Sequence, residues 1–498
     1  MLLTEMSRPV GEILTALAAA APRLPAVTCG ERTVTRAELE SRANRLARAY
    51  AERGVGFGDL VTVALPNSIE TFACFYALWK LGAVPQPVSW RLPPRELAQI
   101  VELADAPLVI GVGDGAAGGR PTLPAGFAPD PALSDAPLPP VTAPAWKAPT
   151  SGGSTGRPKL IVSGQSGAPD LDGLASVFRI GPRDVQLVPG PLYHNAPLTL
   201  SLLGSYLGQH VIVLERFDAE AALRAIERHR VTFVNFVPTM MLRILRLLDA
   251  QPGRWDLGSL ETVWHMGGPC PPWLKERWIE LVGAERLLEL YGGTESQALT
   301  VIDGVEWRSR RGSVGRAVVG EVGVVDADGR PAAPGELGEV VLRRTPGTPP
   351  TYRYIGATAR EFGDGWESLG DLGRLDADGY LYLADRKLDL VVAGGANVYP
   401  AEVEAVLDEH PQVLSCAVVG LPDDDLGERV HAVVQADGAL DAEQLLAFAA
   451  ERLVRYKLPR SVRFVSEPLR DDAGKVRRSA VRERELELIR TPTHEEVE

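Results

Sequence analysis

The stretch Thr150 to Lys159, TSGGSTGRPK, concentrates the residue types that hold phosphate. Glycines as dense as Gly152, Gly153 and Gly156 leave backbone N–H groups free to converge on phosphate oxygens, and Ser151, Ser154 and Thr155 add hydroxyl donors. Lys159 supplies a full positive charge. The run lacks the Gly-Lys-Ser/Thr ending of a Walker A loop, and Pro158 disfavours a helix starting directly after it. As composition alone it is a Gly/Ser linker behind a Pro-rich segment. Other chemistry-bearing residues have equally ordinary local readings. Glu295 alone is a carboxylate at a helix start, and Arg386 is a salt-bridge partner. Asp371, after Gly370, is a turn residue whose two oxygens can accept from a pair of hydroxyls. Lys475, in DDAGKVRR, belongs to a solvated basic turn, and His194 is an ordinary partly buried histidine.

The elements that must position these residues follow from periodicity. RAELESRANRLARAYAERG has apolar residues at helical spacing and ends on Gly54. LVTVALP reads as a buried strand and SIETFACFYALWKLGA as a helix closed by Gly82. This alternation implies a parallel or mixed sheet covered by helices. A second alternating block follows residue 158, with QHVIVLE and VTFVNFVP as strands around the helix DAEAALRAIERHR. Between the blocks, residues 111–149 are rich in Pro, Gly and Ala and read as a surface connection of low order. Residues 310–385 predict an antiparallel section, short strands split by Asp-Gly turns. From Arg386 on, GGANVYPAEVEAVLDEHPQVLSCAVVGLP, ERVHAVVQ, DAEQLLAFAAERLV and SVRFV predict a compact unit before the basic stretch KVRRSAVRER. The expected fold class is α/β. A large N-terminal domain, residues 1–385, has mixed parallel sheets packed with helices plus an antiparallel β section; a small C-terminal α+β domain covers residues 386–498.

At 498 residues the chain exceeds one ordinary core. With 45% hydrophobic and 23% charged residues it is neither disordered nor fibrous. The net charge of −13 argues against a broad nucleic-acid face or an anionic membrane as main partner, so an anionic substrate must be held by local devices. Cys29, Cys74, Cys270 and Cys416 are scattered, with no CxxC pair and no His partners at metal spacing, which argues against a disulfide framework or zinc site and fits a reducing compartment. Glu5, Arg8 and Glu12 interrupt the apolar N-terminus, which reads as an amphipathic helix rather than a signal peptide. No uninterrupted apolar run reaches transmembrane length. A soluble cytoplasmic protein is the expectation.

Taken in order, the motifs resemble those of the acyl-adenylate-forming superfamily: acyl-CoA synthetases, carrier-protein adenylation domains and firefly-type luciferases. Ser151 to Lys159 resembles the family's [ST]SG[ST]TGxPK, with Gly152 replacing a hydroxyl residue. Tyr291-Gly292-Gly293-Thr294-Glu295 looks like YGxTE, and Gly370-Asp371-Leu372 like [TS]GD. Asp385-Arg386 followed by Gly394-Gly395-Ala396-Asn397-Val398 looks like the hinge and glycine loop, and Gly474 to Arg478 like GKxxR. The wording is most similar to bile-acid-CoA-ligase-like synthetases. The resemblance implies ATP, Mg²⁺ and coenzyme A acting on a small carboxylic acid. Within it, Thr150 to Gly156 and Lys159 hold phosphate together with Tyr291, Gly292 and Gly293. Glu295 is the Mg²⁺ ligand, with Thr294 facing the phosphates. Asp371 holds the ribose hydroxyls and Arg386 a ribose or phosphate oxygen. Trp264-His265-Met266-Gly267-Gly268-Pro269 flanks adenine and closes the acyl pocket, where His194 gates the site or meets the carboxylate. Lys475 bridges the carboxylate and the α-phosphate. The small domain is mobile, and on swinging presents Gly394 and Gly395 to the incoming thiol.

Two places depart from the pattern. Leu388 stands where the family commonly has a charged hinge residue, with Asp389 beside it, and LIVSGQSG lacks the frequent Thr-His pair. Neither touches a residue assigned to chemistry. The leading expectation is acid adenylation followed by transfer to coenzyme A. The alternative acceptor is an acyl carrier protein or a nitrogen nucleophile; that no carrier segment follows the basic tail favours free coenzyme A. A non-catalytic relative is expected to have lost one of Lys475, Glu295 or Asp371. The acid is aromatic, alicyclic or medium-chain, and a homodimer is the commonest oligomer such a chain would form.

Overall fold

The structure, a computed structural model, describes residues 8–152, 158–386, 389–423, 425–471 and 474–490. The expected helices form where the sequence provides a start. Arg36–Ala51 begins at Thr35, which accepts from the Glu38 N–H while Glu38 reaches back to the Thr35 N–H. Ile69–Lys80 is capped by Ser68 and buried at every position but Glu70, which explains its nearly continuous apolar sequence.

Among the described residues, the largest sheet has nine strands. Their order is Arg316–Val319, Leu299–Asp303, Leu287–Gly292, Thr262–His265, Phe233–Phe236, Val185–Val188, His210–Val213, Pro25–Cys29 and Arg32–Thr35. The strands from Leu287–Gly292 to Pro25–Cys29 run parallel, and antiparallel strands flank them. Parallel neighbours send their following loops to one edge of the sheet. Pro191 to Asn195, Val237 to Thr239, Gly267 to Pro269 and Gly293 to Glu295 therefore emerge on one rim. Trp264 braces that rim from beneath: its indole N–H donates to the Phe178 carbonyl at 2.8 Å and its ring meets Phe178 edge-on.

A second, all-parallel sheet contains Val84–Pro87, Leu60–Val63, Val109–Ile110 and Thr122–Leu123. Its last strand corrects the expectation of a surface connection over 111–149. That segment also buries Ala117, Ala143, Ala145, Trp146 and Ala148, and the Trp146 carbonyl accepts the Trp79 indole N–H at 2.8 Å. Pro and Gly erase the periodicity there, yet its small residues and single indole fill space against the sheet.

The antiparallel section appears as expected. Glu321–Val325, Gly338–Arg343 and Glu367–Leu375 pair in turn, and Arg360–Glu361 and Leu381–Arg386 pair along Glu367–Leu375. A three-stranded sheet joins Tyr352–Ile355 to Pro158–Ser163 and Thr150–Gly152. The C-terminal sheet runs Ala396–Val398, Val391–Ala393, Gly427–Ala436 and Val413–Asp423, with Ser461–Val465 parallel to Gly427–Ala436. Helices Pro400–Leu407 and Ala442–Ala450 complete it, together with Arg478–Arg490, which falls where sequence patterning gives only a basic stretch. That helix turns a carboxylate inward: Glu485 is 3% exposed and is gripped by Arg463 and His431. No helix among the described residues is long and apolar enough to cross a membrane.

Candidate active site

The rim of the large sheet gathers most of the residues singled out from sequence. Thr150–Gly152 and Pro158–Ser163 pair antiparallel, with Ser151 opposite Lys159 and Gly152 opposite Pro158, so the glycine-rich run begins and ends on paired strands. Gly153, Ser154, Thr155 and Gly156 lie outside the described residues, as do Leu388 and the side chains of Ser151 and Arg386. The first strand is fixed at Thr150, whose hydroxyl accepts from Gln86, while Gln86 accepts from Thr62 at 2.6 Å.

Lys159 Nζ lies 3.3 Å from Glu295 Oε1 and 3.9 Å from the centre of the Tyr354 ring. The Tyr354 hydroxyl donates to the same carboxylate oxygen, and burial and Glu295 together push its pKa up. Thr351 Oγ1 donates to the Glu295 carbonyl at 2.7 Å, tying this residue to the strand that pairs with the phosphate turn. Glu295 is 5% exposed, and Thr294 precedes it in the turn that leaves Leu287–Gly292. At Gly293 an added Cβ would come within 2.4 Å of the Leu369 side chain and 2.7 Å of Glu295 Oε2, so a larger residue there would push the Glu295 carboxylate aside.

Tyr291, on the strand leading into that turn, donates its hydroxyl to Asp371 Oδ2 at 2.7 Å. Asp371 stands opposite Arg386 in the antiparallel sheet. Gly267, at φ 86°, and the exposed Gly268 and Pro269 form the turn after Thr262–His265. Behind them His265 is fully buried, and burial pushes its pKa down to about 4, so the imidazole is neutral beside the Lys275–Glu289 pair. Phe236, Met240 and Met241 are core residues.

His194 is the N-cap residue of Asn195–Tyr206. The neighbouring Tyr193 lines an open cleft of about 310 Å³ shared with Trp90, Arg91 and Arg216. The C-terminal unit reaches this rim through the turn that bears Lys475. Gly474, at φ 74°, lies so close to Thr239 that an added Cβ would stand 2.3 Å from its hydroxyl. Asp471 Oδ2 lies 3.6 Å from His194 Nε2. Lys475 is thereby brought to the rim. Gly394 and Gly395 are not: they form the exposed tip of the Val391–Val398 hairpin, at φ 59° and 81°, and the Gly394 N–H donates to Leu426.

Sequence reasoning missed Tyr354, Gln86 and Lys147. Lys147 is 5% exposed; its ammonium donates to Asn195 Oδ1 and Thr199 Oγ1 and lies over Trp146 at 4.3 Å. Among the described residues it has no carboxylate partner, and burial pushes its pKa down to about 7. Its position ahead of a glycine-rich run is the sole sequence signal that it belongs near the site.

An arrangement of backbone turn, lysine, buried carboxylate and a second lysine on a separate element suits chemistry in which two anions meet. The model described as AMP-binding enzyme matches residues 14–353, and that of the AMP-binding enzyme C-terminal domain matches residues 402–475. Feruloyl-CoA synthase of an Amycolatopsis species is 35% identical over 484 residues, which span 93% of this chain and 96% of that protein. Among solved structures, o-succinylbenzoate CoA synthetase of Bacillus subtilis, in complex with its acyl-adenylate intermediate, aligns with a TM-score of 0.80 at 26% identity over 94% of this chain and 97% of that one. The amide bond synthetase McbA of Marinactinospora thermotolerans aligns with a TM-score of 0.78 at 30% identity over 95% and 99% of the two chains. With two family models matched in order over most of its length, the chain belongs to the AMP-binding enzyme family.

Proposed function

We propose a division of labour among the residues at the rim for a two-step acid–thiol ligation. The chain is an AMP-forming acid–CoA ligase: it activates a carboxylic acid with ATP, releases pyrophosphate, and passes the acyl group to coenzyme A. In the first step a carboxylate oxygen attacks the α-phosphorus, the bond to pyrophosphate breaks, and acyl-AMP forms. In the second, the coenzyme A sulfur attacks the acyl carbon, AMP leaves with the bonding electrons, and the thiol proton goes to solvent.

The first step forces two anions together, so its barrier is governed by positive charge aimed at the oxygens that develop charge. Thr150 to Gly156 and Lys159 hold phosphate oxygens, and Asp371, oriented by Tyr291, accepts from the ribose hydroxyls. Arg386, opposite Asp371, reaches a ribose or phosphate oxygen. Glu295 fits a Mg²⁺ contact, because Mg²⁺ takes one or two protein carboxylates alongside substrate phosphates. No cluster of three or more metal-ligating side chains that would make a protein cage occurs among the described residues. The ion supplies charge at the leaving pyrophosphate. Lys475 bridges the attacking carboxylate and the α-phosphate, and His194 meets the acid. The turn Gly267 to Pro269 and Tyr291 to Gly293 flank adenine.

What carries this reading is the docking of the Lys475 turn on the rim, Gly474 against Thr239 and Asp471 against His194. The chain leaves the antiparallel sheet at Arg386 and enters the C-terminal sheet at Val391, so the boundary between residues 1–385 and 386–498 is where the smaller unit pivots. After adenylation it swings and brings Gly394 and Gly395 to the thiol. The substrate is an aromatic acid, the class that feruloyl-CoA synthase is named for, with alicyclic and medium-chain acids as competitors. The similarity to an amide bond synthetase supports a second reading in which an amine, rather than coenzyme A, takes the acyl group.

The test is one reaction with ATP, Mg²⁺ and a panel of aromatic, alicyclic and fatty acids, run with coenzyme A or with an amine, and weighed by mass spectrometry. A thioester of one acid class is expected. AMP and pyrophosphate with an amide and no thioester would overturn the coenzyme A reading. Adenylation that survives Lys475→Ala largely intact would overturn the role of Lys475.

A further inference from the structure

The turn that carries Lys475 is built around Asp471. The Asp471 N–H donates to the Lys475 carbonyl at 2.9 Å, and Asp471 Oδ1 accepts the Lys475 N–H at 2.9 Å. The same carboxylate thus closes the turn from its side-chain end, as a helix cap closes an open helical turn. Its neighbour Arg470 anchors the turn to the C-terminal sheet, with hydrogen bonds to the Gly474 carbonyl, to Glu404 and to the Cys416 carbonyl. Arg478, beyond the turn, is held by Glu404 and by Asp389, which follows the hinge position. The turn therefore moves with the C-terminal unit as one body.

The second oxygen of Asp471 points out of that body. Oδ2 lies 3.6 Å from Nε2 of His194, which is shielded from solvent and makes no hydrogen bond among the described residues. His194 belongs to the rim of the large sheet, on the segment that leads into Asn195–Tyr206. One carboxylate thus grips the backbone of Lys475 with one oxygen and faces the acid-site histidine with the other. Gly474 adds a close approach to Thr239 and Val237, so the turn packs directly against this rim.

We propose that Asp471 is a positioning residue for adenylation: it fixes the Lys475 turn and, through His194, registers that turn against the acid site. The inference rests on the adenylation role given to Lys475 above. The contact crosses between the two units, so it is broken when the smaller one swings away, whereas the Asp471–Lys475 turn travels with it. Asp471 accordingly serves acyl-AMP formation and not thioester formation. The two oxygens separate by mutation. Asp471→Asn keeps an oxygen for the Lys475 N–H but loses the charge facing His194; Asp471→Ala loses both.

The experiment measures the two half-reactions apart: acid-dependent exchange of pyrophosphate into ATP, and thioester formation from supplied acyl adenylate and coenzyme A. Asp471→Asn is expected to slow adenylation about fivefold, the scale of one lost polar contact. Asp471→Ala is expected to slow it more, roughly tenfold or beyond, because a turn-closing hydrogen bond goes as well. Thioester formation from supplied adenylate stays at the wild-type rate in both. His194→Gln combined with Asp471→Asn is expected to be no worse than His194→Gln alone, since the two residues share one contact. Equal slowing of both half-reactions, or full additivity of the double variant, overturns the proposal. Lys475→Ala serves as the control. If it spares adenylation, the underlying reading fails; if it abolishes adenylation while Asp471→Ala does not slow it, this inference alone fails.

Discussion

Replacing Lys147 by Met should change how the protein's stability depends on pH, by an amount that follows from the lysine's surroundings. Lys147 is buried without a carboxylate partner among the described residues, close to the first turn of Asn195–Tyr206, where the helix carries its positive end. Burial pushes its pKa from the ordinary 10.5 down to about 7. In the window between those values the unfolded chain holds a proton that the folded chain has released. Stability of the wild type therefore rises with pH across the window, is fully regained above 10.5, and is lost as pH falls through about 7. Methionine has no such dependence. Each pH step well inside the window is worth about 1.36 kcal/mol, and the first is worth less because titration is centred near 7; from pH 7 to 9 the wild type gains about 2 kcal/mol on Lys147→Met. Superimposed is a pH-independent loss for the hydrogen bonds to Asn195 and Thr199, about 1 kcal/mol each. Urea unfolding at both pH values, followed by tryptophan fluorescence, measures the difference. All nine tryptophans lie at or before residue 366, so the signal reports the large N-terminal part alone. Other titrating groups cancel between the two proteins. A stability difference that is the same at pH 7 and pH 9 would show that Lys147 keeps an ordinary pKa, and the reasoning from its burial would fail.

Glu295→Gln should raise the Mg²⁺ concentration needed for half-maximal adenylation at fixed ATP by at least about tenfold, with Tyr354→Phe giving a smaller rise; an unchanged Mg²⁺ titration removes Glu295 from the metal. Glu485→Ala should destabilise the C-terminal unit by about 2 kcal/mol, the loss of charge-assisted hydrogen bonds to a partly exposed Arg463 beside His431. Burial alone would raise the Glu485 pKa, but the hydrogen bond and charge of Arg463 outweigh it and hold it below the ordinary 4.5. Its contribution is therefore present above pH 4.5 and lost as pH falls below that value, so the deficit of the variant, followed by far-UV circular dichroism, should shrink on acidification. Gly474→Ala should slow acyl-AMP formation more than thioester formation from supplied adenylate, because its methyl would overlap the Thr239 hydroxyl only when the turn is docked, whereas the strain of a side chain at φ 74° weighs on both steps.

The parts of the site written in contiguous residues were legible. Tyr291 to Glu295 announces a tight turn through glycine and hydroxyl content, and Thr150 to Lys159 begins and ends on strands, because the flanking runs are apolar and short. What the sequence conceals is made by pairing across long separations. Tyr354 meets Lys159 and Glu295 because Tyr352–Ile355 pairs with Pro158–Ser163, and nothing local in YRYI encodes that partner. Helix Arg478–Arg490 escaped because its inward face carries a carboxylate that finds the counter-ion Arg463 on Ser461–Val465 and the imidazole of His431 on Gly427–Ala436. A periodicity argument counts apolar residues and is blind to burial by ion pairing. Lys147 is concealed for the same reason in reverse: lysine is expected outside, and only the packed Trp146 and the helix Asn195–Tyr206 put it inside.

The charges at the rim show how one site can bind a polyanion without a standing excess of positive charge. Lys159 and Glu295 are each other's counter-ions, and Tyr291 already occupies one oxygen of Asp371. On the proposed assignment, a metal at Glu295 and phosphate oxygens at Lys159 would replace the Lys159–Glu295 pair with two new ones, so neither charge would be stranded when the metal–nucleotide complex binds. Lys475 is different in kind: it stands on the C-terminal unit, whose turn is seated on the rim by Gly474 and Asp471, and in the proposed mechanism its charge would be withdrawn with that unit. That separation is what two successive steps require. In the proposed mechanism the permanent charges would bind the nucleotide portion common to both steps, while a movable lysine would serve the anion–anion encounter of the first and leave room for the thiol in the second.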